Sequence, residues 1–401
     1  MAELQSTQLP VGQPRSPAKL RWSLVLIAVL LISTTLLWNG PRSVGGFLAR
    51  LGVDPRGVGL ATAPTPAAVL NQAEGSLAVF FTTPELVYPD VPRDRLPPSP
   101  EQAILADLAT ATRSIELVSF EYNLVSIAEA LARASARGVV VRLALDRESL
   151  GNPAMAKWAG MVEDAGATIS WETSDAFMHS KFIIVDNRLV WMGSWNATTN
   201  DTYRNNNNLL RITVPALVKN YAAEFARMAG GTFGTSKSGA TPAPLVRLAN
   251  VTVANYFSPR EPVQARVVDW VQRARSSVEV LAFSFTADEL GDALIARHAA
   301  GVPVRVVFEA RNATGVGSEF GRLQQQGVTV LKDGNCYTMH HKVIIIDRRV
   351  VITGSYNFTA RAEGVNDENT LVIENPALAQ AYLAEFERVY AQAQNPPRCQ
   401  D

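Results

Sequence analysis

Cysteine, histidine and lysine are scarce in this chain, and neither sign of charge is in excess. Two cysteines, Cys336 and Cys399, exclude a disulfide-dense scaffold and a cysteine-rich metal site, and their spacing leaves open whether they pair. With 37 basic and 37 acidic residues no global field draws polyanions, which argues against a generic nucleic-acid binder while leaving room for a local basic groove. Charged residues make up only 18% against 47% apolar, which excludes a disordered chain, and 401 residues suffice for two or more compact units. Long apolar runs are absent except one. Residues 22–38, WSLVLIAVLLISTTLLW, hold no charge and carry Trp at both ends, as an interfacially anchored transmembrane helix would. Arg15, Lys19 and Arg21 precede the run and Arg42 is the only basic residue in the ten positions after it, so the expected orientation is single-pass with the folded part extracytoplasmic. The alternative is a signal peptide and secretion, although no small-x-small cleavage site follows cleanly.

The remainder is a duplication. SIELVSFEYN from Ser114 matches SVEVLAFSFT from Ser277, and GVVVRLALD from Gly138 matches GVPVRVVFE from Gly301, both 163 positions apart. GATIS from Gly166 matches GVTVL from Gly327 at an offset of 161. An offset drifting by two residues over this length marks an internal repeat. Strand and helix patterns alternate in each half, which predicts an α/β layer structure: two homologous lobes, each a central β-sheet flanked by helices. The expected organisation is a tail at 1–21, the anchor at 22–38, a Gly/Pro/Ala-rich linker at 39–75, lobe 1 at 76–233, a second linker at 234–248 and lobe 2 at 249–395.

Within each lobe one motif carries the chemistry. HSKFIIVDNRLVWMGSWN at 179–196 and HHKVIIIDRRVVITGSYN at 340–357 share His-x-Lys-x4-Asp-x6-Gly-Ser-x-Asn with every spacing intact. The chain has four histidines and seven lysines, and this pattern takes two of each: His179, His340, Lys181 and Lys342. The apolar, β-branched run after each lysine reads as a buried strand, so His and Lys, two positions apart, share one face. Ser194, Asn196, Ser355 and Asn357 return beside them on the partner strand as expected phosphate-binding donors. In-line displacement at phosphorus needs a nucleophile on one side and a proton donor on the other, and two facing lobes would supply one histidine to each. Asp186 and Asp347 fall at strand ends before turns, which predicts structural caps. His298 reads as a surface residue, and His341 points away from its neighbours by strand alternation.

This pattern resembles the HKD motif of the phospholipase D superfamily, over about residues 76–395. The resemblance implies a two-lobed phosphodiesterase with a covalent phosphohistidine intermediate, no metal or other cofactor, one active site at the lobe interface, and function as a monomer. Members hydrolyse phospholipids, transfer phosphatidyl groups as cardiolipin synthases do, or cut nucleic acids. With an anchor and no basic excess, the expected partner is phospholipid, met at the membrane, and the reaction is hydrolysis; a nuclease or a phosphatidyltransferase is the alternative. The resemblance also makes Glu368, 28 residues after His340, a catalytic carboxylate, with Asn207, 28 residues after His179, as a possible histidine-orienting group. Taken within each lobe, these pairings join Glu368 to His340 as general acid and Asn207 to His179 as nucleophile. The insertion at 87–98 and the segment 311–319 are expected to shape access.

Overall fold

The computed structural model describes residues 65–82, 99–397 and 399. The apolar run 22–38, most of the first linker and the insertion 87–98 lie outside the described residues. Among the described residues, no helix is long and apolar enough to cross a membrane.

Two eight-stranded mixed sheets repeat one topology. The first holds β1 (Ala68–Gln72), β2 (Gly75–Thr82), β3 (Ser114–Ser119), β4 (Val140–Asp146), β5 (Thr168–Glu172), β6 (Phe182–Val185), β7 (Leu189–Gly193) and β8 (Asn207–Ile212), in the order β1-β2-β8-β7-β6-β3-β4-β5. The second holds β9 (Leu245–Arg247), β10 (Thr252–Ser258), β11 (Val278–Ala282), β12 (Val304–Phe308), β13 (Thr329–Lys332), β14 (Lys342–Ile346), β15 (Val350–Gly354) and β16 (Glu368–Glu374). Its order is β13-β12-β11-β14-β15-β16-β10-β9, the same sequence of equivalents read from the other edge.

Both faces of each sheet are covered, and the alternation of side chains shows what covers them. Ile184 of β6 joins a core shared with Val343 and Ile345 of β14 and with Tyr221, Phe225, Tyr382 and Phe386 of the helices Pro215–Ala229 and Pro376–Gln394. Ile183 and Val185 point oppositely, into a core with Ile104, Leu131 and Val162 of the outer helices of lobe 1. Ile344 and Ile346 do the same in lobe 2, against Val267, Leu290 and Leu294. The two long helices therefore form a central layer between the sheets. This explains why Phe182–Val185 of β6 and Val343–Ile346 of β14 are apolar at consecutive positions rather than at alternate ones.

The β6–β7 and β14–β15 hairpins turn through paired left-handed residues, Asp186 and Asn187 (φ 56° and 51°) and Asp347 and Arg348 (φ 54° and 52°). Such residues cost about 1–2 kcal/mol each outside glycine. The aspartates offset this by holding the neighbouring chain. Asp186 accepts the N–H groups of Thr112, Arg113 and Ser114, and Asp347 those of Arg275, Ser276 and Ser277. Burial raises both carboxyl pKa values, but these backbone bonds outweigh it and hold them below the usual range.

Candidate active site

Each motif strand enters its sheet directly after crossing to the other lobe. Met178 forms a parallel bridge with Asp367, and Met339 forms its counterpart with Asn206. Asp367 N–H donates to Phe177 O (2.8 Å), while His340 N–H donates to Asn206 O (2.9 Å). These two reciprocal straps deliver His179 and His340 into one buried centre. Lys181 and Lys342 follow, and each Nζ donates to the carbonyl of its own histidine, at 2.7 and 2.9 Å. Each imidazole feels both lysines as nearby charges, and His179 also feels His340, as members of a single site would.

The orienting groups cross between lobes, which corrects the pairing expected from sequence. His179 Nδ1 lies 2.8 Å from both carboxylate oxygens of Glu368, and His340 Nδ1 lies 2.9 Å from Asn207 Oδ1. The within-lobe pairing joins Glu368 to His340 and Asn207 to His179. It fails because β8 and β16 each begin at a strap, where the chain lies against the other lobe's histidine. When Glu368 is ionised it can only accept, so Nδ1 then carries the hydrogen and Nε2 of His179 presents its lone pair. Asn207 Nδ2 donates to Asp201 O (3.1 Å), which fixes the amide orientation and leaves Oδ1 to accept from His340.

The serines do not face outward as phosphate donors. Ser194 Oγ donates to Asn207 Oδ1 (2.8 Å) and Ser355 Oγ to Glu368 Oε2 (2.5 Å), so each hydroxyl holds the group that orients the opposite histidine. The preceding glycines make this possible. A Cβ on Gly193 would stand 2.1 Å from Asn208 O, and one on Gly354 2.0 Å from Asn369 O. Asn196 is also occupied: its Nδ2 donates to Asp201 Oδ2 at 2.8 Å. Asn357 is half-buried and lacks such a carboxylate, because Ala362 stands where lobe 1 has Asp201.

Three contributors escaped the sequence reading. Phe120 and Phe283 stand edge-on to His179 and His340, with ring centroids 5.3 and 4.8 Å apart. Lys181 and Lys342 lie over those same rings at 5.7 and 4.4 Å. Their signal was available, since the two phenylalanines occupy matched positions of the repeat, 163 residues apart. Asp201, on the short helix Thr199–Tyr203, had no such signal, because its matched position is an alanine.

Burial dominates the electrostatics. It pushes both imidazoles well below their ordinary range, aided by the two ammonium groups. Lys181 falls to about 8 and Lys342 well below its usual value for the same reason, while the Glu368 carboxyl rises to about 8 despite Lys181 beside it. The centre is thus a set of cation-forming groups deprived of water. A bound anion would supply the charge that restores their protonated forms.

The remaining motif residues lie apart. Asp186 and Asp347 serve the hairpin turns described above. His341 is fully buried behind the site, with Nε2 3.0 Å from Glu385 and Nδ1 3.1 Å from Asn208 Nδ2. His298 is half-buried on the helix Asp288–Ala299. Segment 311–319 does reach the site wall, through Asn312 Nδ2 to Phe283 O at 2.9 Å. Cys336, four residues before His340, is disulfide-bonded to Cys399.

A family profile described as "Cardiolipin synthase, PLD-like domain" matches residues 104–229 and 267–390, together more than half of the chain. Mitochondrial cardiolipin hydrolase of Mus musculus is 38% identical over 126 residues, covering 31% of this chain and 57% of that protein. The chain thus spans little more than half the length of these curated relatives. A phospholipase D of Rickettsia bellii is 35% identical over 149 residues, or 36% of this chain and 74% of the relative. The crystal structure of phosphatidylserine synthase from Haemophilus influenzae aligns with a TM-score of 0.54 over 74% of this chain and 84% of that one. At 14% identity it shows a shared fold.

Proposed function

The chain belongs to the family of phospholipase D-like domains, and from that premise we propose that it is a membrane-tethered phosphodiesterase that hydrolyses phospholipids through a phosphohistidine. One observation carries the reading: two histidines, each oriented through Nδ1 by the opposite lobe, leave both Nε2 atoms for a single phosphorus. His179, whose Glu368 partner fixes the nucleophilic tautomer, attacks phosphorus. His340 protonates the departing alcohol oxygen as its bond to phosphorus breaks. Water then attacks the phosphohistidine, His340 takes its proton, and His179 leaves as the P–N bond breaks. Lys181 and Lys342 balance the equatorial oxygens.

A phospholipid substrate fits an apolar N-terminal run and a chain without basic excess, since tethering raises the local concentration of lipid and weak affinity then suffices. The Cys336–Cys399 disulfide fits an oxidising compartment, and so supports an extracytoplasmic catalytic part whether anchored or secreted. A nuclease is the second reading. It is favoured by arginines stacked on aromatics beside the two straps, Arg361 over Phe177 and Arg204 over Tyr337, each 5.0 Å away. The test is to incubate the purified protein with phosphatidylcholine, phosphatidylglycerol and cardiolipin, with and without ethanol, alongside single-stranded DNA. Phosphatidic acid is expected, and phosphatidylethanol in its place would indicate transfer. DNA cleavage without lipid product would overturn the lipid assignment. For orientation, protease added to intact spheroplasts should digest the catalytic part; full protection would reverse it.

A further inference from the structure

The two halves of the site are not equivalent in charge. His179 receives a carboxylate directly, from Glu368, whereas the matched residue facing His340 is the neutral Asn207. A second difference runs the other way. Lobe 1 has Asp201 six residues before Asn207, and lobe 2 has Ala362 six residues before Glu368. The negative charge has changed places within the repeat.

Asp201 is buried, and its Oδ1 stands 3.5 Å from His340 Nδ1. Its other bonds hold it there: Asn205 Nδ2 donates to Oδ1 (2.6 Å), and Asn196 N–H and Nδ2 donate to Oδ2 (2.7 and 2.8 Å). The backbone carbonyl of Asp201 also accepts from Asn207 Nδ2, so one residue fixes the amide that touches the imidazole and supplies the charge behind it. Both lysines register Asp201 as a charge that stabilises their ammonium forms. We propose that Asp201 is the positioning carboxylate of His340: it supplies from the short helix the charge that Asn207 lacks, and keeps this histidine able to enter the reaction as the imidazolium that protonates the leaving oxygen. With Asn207 Oδ1 accepting the Nδ1 hydrogen, a carboxylate 3.5 Å from Nδ1 stabilises imidazolium without taking that proton. Direct contact, as at His179, suits a nucleophile; the indirect arrangement suits an acid that must give up its proton and take one back.

The experiment compares wild type, Asp201→Asn, Asn207→Asp and the double variant on aryl phosphodiesters whose leaving phenols rise in pKa from p-nitrophenol to phenol. Asp201→Asn should lose less than about tenfold with p-nitrophenol, which departs unprotonated, and about a hundredfold or more with phenol. The basic limb of its pH profile should move to lower pH, because loss of a nearby negative charge disfavours imidazolium. Adding Asn207→Asp should restore the phenol rate and return the limb. An equal loss across the series with an unmoved limb would overturn the proposal and leave Asp201 only the task of holding Asn196. Should Asp201→Asn fold poorly, Asn207→Asp alone gives an independent reading. It places a carboxylate on Nδ1 and should move the limb to higher pH; an unmoved limb there also overturns the proposal. Wild-type turnover of the activated diester stands or falls with the phosphodiesterase reading, whereas the slope across the series stands or falls with Asp201.

Discussion

In the proposed mechanism Glu368 sets the state of the nucleophile, His179. Its carboxyl is pushed up to about 8 by burial, and the His179 imidazole is pushed down by the same burial, so at neutral pH the pair shares one proton and carries no net charge. As pH rises the pair becomes Glu368 carboxylate with His179 Nδ1–H, which exposes the Nε2 lone pair. Activity is therefore absent on the acid side of this titration and present on the alkaline side. For an activated p-nitrophenyl diester, whose leaving group needs no proton from His340, kcat/KM should rise with pH through a limb near 8 that belongs to the pair rather than to either residue. Glu368→Gln should abolish that limb and cost about a hundredfold or more, which a pH–rate profile measures directly. The residue types of the site could be read from the repeated motif, because few side chains bind and protonate a phosphodiester. Their partners could not. A spacing of 28 residues places Glu368 on a strand beginning near a histidine, but only the crossing of the straps decides which histidine.

At the scale of elements, the hairpins β6–β7 and β14–β15 do most to build the centre, and their logic was visible in sequence. Each β-branched run predicts a buried strand, and each Asp before an Arg-containing turn predicts a cap. The glycine that follows was visible only as a motif letter. Its reason is packing, since Gly354 lets β15 lie against Asn369 O so that Ser355 reaches Glu368. Gly354→Ala puts a methyl group 2.0 Å from that carbonyl oxygen. The variant should lose about 1–3 kcal/mol in a denaturant titration. It should also lose activity beyond its unfolded fraction, because Ser355 and Glu368 shift together. Full activity with unchanged stability would show that the strand relaxes without them. The central pair of helices, Pro215–Ala229 and Pro376–Gln394, was harder to foresee. Each reads as an ordinary amphipathic helix of its own lobe, and nothing local says that its apolar face serves both sheets.

Across the whole molecule, the duplication predicted one site shared by two lobes, but it could not show how the lobes are locked. The second linker does part of this. Lys237 is buried, with its Nζ paired to Glu224 and, at 2.5 Å, to Asp367, the residue before Glu368. The disulfide acts within lobe 2, tying the C-terminal segment to the loop that precedes His340. Cys336 and Cys399 stand 63 residues apart, and a loop of that size corresponds to about 4 kcal/mol of constraint on the unfolded chain. Reductant should lower stability by roughly that amount in a denaturation curve, and an unchanged curve would show that the bond does not form. The central claim, that two lobes cooperate on one phosphorus with His179 as nucleophile, is tested most directly by trapping the intermediate. A His340→Ala enzyme given a p-nitrophenyl phosphodiester should release one equivalent of nitrophenol in a burst and then stall, because no group remains to activate water. Mass spectrometry without acid quenching should then find the phosphoryl adduct on His179. An adduct on His340 in a His179→Ala enzyme, with none on His179 in the His340→Ala enzyme, would contradict the account.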